Sequence, residues 1–153
     1  MDLVVIGCGN PLRGDDAVGP ELVRRLRERG LPDGVRCVDA GTGGIDAVLE
    51  MRGALEAVVV DACRSGSPPG TLHEVSGAAL ADQPPRGLDI HAVRWDHALA
   101  LADALLGDGR PRQVTACLVE AASFEPGAPL SPAVDRAVDA LAARLFARFA
   151  GEA

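Results

Sequence analysis

The stretch Leu3-Val4-Val5-Ile6-Gly7-Cys8-Gly9-Asn10-Pro11-Leu12-Arg13-Gly14-Asp15-Asp16-Ala17-Val18-Gly19 decides the reading of this chain. Its apolar opening has the pattern of a buried strand, and the glycine-rich segment behind it reads as a turn into a helix. A turn of this kind ordinarily prepares a phosphate site at the following helix N-terminus. Here it delivers two adjacent carboxylates, Asp15 and Asp16. They repel a pyrophosphate and attract a cation.

Outward from this segment, apolar runs at 3–6, 35–38, 57–60, 71–75 and 114–119 alternate with longer helical patterns. That alternation predicts an α/β fold, a sandwich of helices around a mostly parallel sheet. Val58-Val59-Val60 shows no polar alternation, the mark of a strand covered on both faces. Pro20 reads as a first-turn proline, with Leu22, Val23 and Leu26 on one face and Gly30 closing the helix. A short helix is expected at 45–51, and a third at 96–106 carrying Leu99, Leu101, Ala102, Leu105 and Leu106. In the last helix Ser131 is the cap, Pro132 takes the first turn, and Val134, Val138, Leu141, Leu145 and Phe149 form one stripe. Loops rich in proline and glycine fall at 65–70, 83–87 and 125–129, the second expected to be a mobile surface loop.

A length of 153 residues suits one domain spanning 1–153. The net charge of −7 argues against nucleic acid or an anionic membrane surface as partner. No apolar run approaches the roughly 18 residues of a membrane span. The chain opens on strand pattern without a basic segment and apolar signal core, so a cytoplasmic protein is expected. Cys8, Cys37, Cys63 and Cys117 stand singly, without a C-x-x-C pair, and are expected to be buried free thiols. All fifteen basic residues are arginine. The absence of lysine excludes P-loop phosphate transfer and Schiff-base chemistry on the protein. No G-x-S-x-G elbow occurs, which argues against the usual esterase route.

Functional side chains of an open parallel sheet gather at the carboxyl ends of its strands. Following the first strand are Asn10, Asp15 and Asp16; following the second, Asp39-Ala40-Gly41-Thr42-Gly43-Gly44; the third ends in Asp61; and His91 follows the loop at 83–87. Carboxylates gathered at one edge repel one another unless protons or a cation intervene. Two carboxylate oxygens and one imidazole nitrogen suit zinc, nickel or a similar divalent ion, with a position left open for water or substrate. Each residue also has a plainer use: Asp61 as an acceptor at a strand end, Asp16 as a helix-start acid, Asp39 as an Asx-turn residue, His91 as an exposed loop residue. His97 falls inside the third helix, and His73 lies in the weak fourth strand, where it is expected to face solvent.

The segment 7–19 resembles the opening motif G-x-G-N-x-L-x-x-D-D/E-x-x-G of the nickel hydrogenase maturation proteases. These are endopeptidases that trim a C-terminal extension from the large subunit of NiFe hydrogenases. Asp39-Ala40-Gly41-Thr42-Gly43-Gly44 is similar to that family's D-G-G-T-x-G turn, with Ala40 in place of the first glycine. Val58-Val59-Val60-Asp61-Ala62 resembles its apolar strand ending in Asp-Ala, and Pro69-Gly70-Thr71 its P-G-T. The resemblance implies a three-layer α/β/α sandwich with a five-stranded twisted sheet. It also implies that Asp16, rather than Asp15, joins Asp61 and His91 as the catalytic and metal-contacting set. Asp89-Ile90-His91 replaces the more usual S-x-H, and Arg94-Trp95-Asp96-His97 departs from the pattern behind it, which keeps His97 in reserve.

The function this implies is removal of the C-terminal extension from a nickel-loaded large-subunit precursor. Asp16, Asp61 and His91 complete the coordination of a nickel ion carried by the substrate, no organic cofactor is needed, and water is activated by the metal or by a carboxylate in aspartyl-protease fashion. Three other classes compete. A non-catalytic nickel-binding or scaffold protein would use the same ligands. A dinucleotide-binding module would use Gly7-x-Gly9 and Asp39, although Leu12 stands where its third glycine belongs. A cysteine hydrolase would use Cys8 or Cys63 with His91.

Overall fold

The computed structural model describes residues 2–82 and 102–151. β1 (Leu3–Gly7) is buried along its whole length because it has a parallel neighbour on each side. β2 (Val35–Asp39) pairs with it on one flank and β3 (Glu56–Cys63) on the other. β3 pairs parallel with β5 (Gln113–Glu120), and β4 (Leu72–Ser76) closes the far edge antiparallel to β5. The sheet order β2-β1-β3-β5-β4 gives five strands, mostly parallel, as the sequence predicts. β3 runs past the expected end at Asp61, which stays in register opposite Leu118, and stops at Cys63 opposite Glu120.

Helices cover both faces. α1 (Val18–Glu28) and α5 (Pro132–Phe149) lie together on one, where Leu22, Val23 and Leu26 meet Val134, Val138, Leu141 and Leu145 over Val5, Val58 and Val60. α2 (Gly44–Leu49) and α4 (Ala102–Leu106) cover the other, where Val48, Met51 and Leu106 pack on Val4, Ile6, Val59 and Leu118. Each fully buried Leu or Val contributes roughly 1.5–3 kcal/mol, so the alternate residues of the central strands drive assembly of both layers. α3 (Gly77–Asp82), absent from the sequence expectation, follows β4 directly, with the Ala79 N–H donating to Ser76 Oγ at 3.2 Å. Of the helix expected at 96–106, residues 96–101 lie outside the described residues, and α4 is its last turn. Phe149 is partly buried against the α1–α5 core rather than fully within it. No described helix is long and apolar enough to cross a membrane.

The strand order reverses between β1 and β3: the chain steps from β1 to β2 on one side, then crosses to β3 on the other. A crevice forms outside the carboxyl ends at such a point. Here that point is also where β1 and α1 meet backbone to backbone. A Cβ on Gly7 would lie 2.3 Å from the Gly19 carbonyl oxygen, and one on Gly19 2.2 Å from the Cys8 carbonyl oxygen.

Gly19→Ala is therefore expected to cost about 3 kcal/mol by forcing α1 off the strand. Gly30→Ala, at φ +77° with no heavy atom within 4 Å of its Cβ, should cost only about 1–2 kcal/mol of backbone strain. Urea unfolding of both variants checks this, and equal losses would show that the crossing tolerates a side chain.

Candidate functional site

Backbone hydrogen bonds lace the carboxyl ends of the first three strands together. The Cys8 N–H donates to the Val60 carbonyl at 2.8 Å, Ala40 N–H to Gly7 at 2.9 Å and Gly9 N–H to Gly41 at 2.9 Å. Gly9, at φ +130°, lets the chain return so closely that a Cβ would sit 1.9 Å from the Asp16 carbonyl oxygen. In a dinucleotide site the glycines make room for a pyrophosphate. Here Asp16 fills that room, which removes the physical basis of the dinucleotide reading.

The two adjacent acids do different work, a difference position alone did not reveal. Both lie in the 3-10 turn Gly14–Ala17 and both are fully buried. Asp15 is saturated: Oδ2 accepts from the Ala122 N–H at 2.8 Å, the Ser123 N–H at 3.1 Å and the Ser131 hydroxyl at 2.7 Å, while Oδ1 accepts from the Ser131 N–H at 2.7 Å. It ties the turn to the start of α5 and to the segment after β5. Ser131 is indeed the N-cap residue, but its hydroxyl serves Asp15 instead of the helix N–H groups. Asp16 accepts one hydrogen bond, from the Asn10 N–H to Oδ2 at 3.0 Å. Its Oδ1 is buried without a hydrogen-bond partner among the described residues. An unsatisfied buried acceptor costs about 1–3 kcal/mol, a cost that a ligand reaching the oxygen would remove.

Asp61 is 1% exposed on β3 and accepts the Ala62 N–H at Oδ1, 2.8 Å away. The turn carrying Asp16 packs against β3. Cys8 reports on the charges around it: burial, then Asp61, Asp39 and Asp16, together push its thiol well above the usual range. Three carboxylates, from the 3-10 turn, the end of β2 and the carboxyl-terminal part of β3, thus act on one thiol. Asp39 takes the plainer role anticipated for it, its Oδ1 accepting the Gly41 N–H at 2.9 Å in an Asx turn. A thiol held protonated is a poor nucleophile, and Cys63 is also pushed up, by burial, its hydrogen bond to Glu120 and nearby acids. This disfavours the cysteine-hydrolase reading. His91 and His97 lie outside the described residues.

His73 corrects an expectation. Its side chain is only 31% exposed, with Nε2 3.4 Å from Glu120 Oε2, because it stands opposite Leu118 and so shares a sheet face with Glu120. Glu120 itself was not singled out by sequence. It is 2% exposed, and its Oε1 accepts the Ser65 and Gly66 N–H groups at 2.7 and 2.9 Å. The available signal was a carboxylate closing the apolar run Cys117-Leu118-Val119. A cleft lined by Met51, Leu55, Ser76, Ala102 and Arg112 lies at the opposite edge of the sheet and contains none of these acids.

The division between the acids is measurable. Asp15→Ala should cost about 3 kcal/mol, because several buried donors lose their acceptor. Asp16→Asn should change stability by less than about 1 kcal/mol, since the amide oxygen still accepts from Asn10. Thermal and urea unfolding of the two variants compares them, and equal destabilisation would contradict the assignment.

A family model for hydrogenase maturation proteases matches residues 20–148. The hydrogenase 2 maturation protease of Escherichia coli is 32% identical over 145 residues, covering 91% of this chain and 85% of that protein. A putative hydrogenase maturation protease of Methanocaldococcus jannaschii is 34% identical over 94 residues, covering 60% of this chain and 61% of the relative's own length. Among solved structures, the hydrogenase maturating endopeptidase HybD from E. coli superposes with a TM-score of 0.80 at 25% identity, over 99% of this chain and 93% of that one. The chain therefore belongs to the hydrogenase maturation protease family, a family of hydrolases of the endopeptidase kind.

Proposed function

We propose that this chain removes the C-terminal extension of a nickel-loaded NiFe hydrogenase large-subunit precursor, gripping the substrate's nickel through Asp16, Asp61 and His91. The observation that carries the reading is Asp16 Oδ1, a buried carboxylate oxygen without a hydrogen-bond partner among the described residues, in the turn packed against the strand of Asp61. Two anionic oxygens and a neutral imidazole nitrogen suit a borderline divalent ion. Burial keeps water away from both carboxylates, which strengthens their attraction for a dication. His91 enters on the motif Asp89-Ile90-His91. Leu12, 73% exposed just ahead of that turn, offers apolar surface to a polypeptide substrate.

Nickel in this reading is part of the substrate, and its capture tests whether the precursor has been loaded before it is cut. Hydrolysis then follows aspartyl-protease logic. A carboxylate takes a proton from water as the water oxygen bonds to the scissile carbonyl carbon. The C–N bond breaks, and the departing amine receives a proton. Four free cysteines, all buried, suit a reducing compartment and support a cytoplasmic setting.

The test offers nickel-loaded and nickel-free precursor to the wild type and to Asp16→Asn and Asp61→Asn, with mass spectrometry of the precursor's C-terminus as readout. Only the loaded precursor should be cut, and each variant should be at least about 100-fold slower. Equal cleavage of both precursors overturns the nickel check. Undiminished cleavage by both variants overturns the site, and binding of the loaded precursor without cleavage by the wild type makes the chain a scaffold.

A further inference from the structure

Farther along the same sheet face, three side chains of different chemistry converge on one point. Cys63 ends β3 and Glu120 ends β5, and the two are register partners. His73 stands opposite Leu118, two residues before Glu120, so its side chain falls on the same face of the sheet. Glu120 Oε2 lies 3.2 Å from Cys63 Sγ and 3.4 Å from His73 Nε2, and the three donor atoms all lie within 4.8 Å of one another. The Ser65 hydroxyl donates to the same oxygen at 2.8 Å and lies 3.4 Å from His73 Nε2.

A buried carboxylate that served only to anchor the turn at Ser65 and Gly66 would need no more than those donors. Oε1 already takes both backbone N–H groups. Thiol, hydroxyl and imidazole all crowd Oε2, an oxygen with two lone pairs. Sulfur, nitrogen and oxygen aimed at one small volume is the donor set of a zinc-class ion. With bonds of about 2.0–2.3 Å and tetrahedral angles, neighbouring donors stand about 3.3–3.6 Å apart, close to the two separations to Oε2. Rotation of His73, on the edge strand and 31% exposed, closes the remaining edge and gives the ion a way in.

We infer that Cys63, His73 and Glu120 form a second cation site, distinct from the Asp16–Asp61 region, that takes a resident zinc-class divalent ion. The ion bonds to the Cys63 sulfur as the thiol proton leaves for solvent, to the lone pair of His73 Nε2, and to Glu120 Oε2. Ser65 Oγ or a water fills the fourth position. One thiolate and one carboxylate balance the dication. The ion clips the edge strand β4 to the ends of β3 and β5.

Cobalt(II) tests this in the full chain, stripped with chelator and then titrated. A thiolate–cobalt charge-transfer band in the near ultraviolet should saturate at one equivalent and vanish when zinc is added. Cys63→Ser should remove the band, Cys8→Ser and Asp16→Asn should keep it, and His73→Ala should weaken cobalt binding about 10–100-fold. Zinc should also raise the melting temperature of the wild type and of Asp16→Asn, and at the same zinc concentration raise that of His73→Ala less, a readout that holds if Cys63→Ser does not fold. Absence of the band in the wild type overturns the site. So does a band that survives Cys63→Ser, one that Cys8→Ser removes, or a zinc-induced rise in melting temperature that His73→Ala retains in full.

Discussion

Gly7 and Gly19 let the end of β1 and the start of α1 touch through their backbones, and Gly9 lets the intervening turn fold back onto Asp16. In such packing the chain has room for no side chain at three positions, so the turn between them has little choice of path. Its two acids are driven inward, where an ionised carboxylate survives only if it is hydrogen-bonded or paired. The placement of these two acids at the carboxyl edge of the sheet follows from that confinement.

The two acids answer the confinement in opposite ways. Asp15 takes donors from Ala122, Ser123 and Ser131 and so holds the turn against two segments more than a hundred residues away. Asp16 sits beside it with one oxygen satisfied by Asn10 and the other by no described group. Asn10 is itself fixed, its side-chain oxygen accepting the Leu12 N–H at 2.9 Å. The rigid partner thus holds the unsatisfied one in place, and the local deficit at Asp16 is carried by the bonds of Asp15. A buried group left short of partners inside an otherwise saturated turn is the usual mark of function over stability.

Most of the fold was legible because its signals are local. The apolar runs of β1, β3 and β5 and the alternation with helical stripes needed only short windows of sequence, and the adjacent glycines and acids of the first turn stood out on their own. What escaped depends on contacts between distant segments. Asp61 looked like a strand end because aspartate is rare in strands, yet pairing with β5 carries β3 on to Cys63. Ser131 looked like a side-chain cap, but Asp15 draws its hydroxyl across 116 residues. His73 looked solvent-facing because nothing in its neighbourhood of sequence names Glu120. α3 was too short for any apolar period to declare it.

The field at the carboxyl edge also separates two chemistries that the sequence had left side by side. Asp61 lies on the same sheet face as Cys63, and its charge opposes ionisation of both Cys63 and Cys8, in each case behind the larger effect of burial. A cysteine hydrolase needs the reverse, a cationic or dipolar surrounding that favours thiolate. Such an edge is poor ground for a cysteine nucleophile and good ground for a dication. A positive ion brought against Asp16 and Asp61 would gain from the charges that, behind burial, help to hold Cys8 protonated, and it would neutralise the repulsion the acids exert on one another. On the reading proposed above, Asp16 and Asp61 answer to what arrives, whereas Asp15 serves the fold itself.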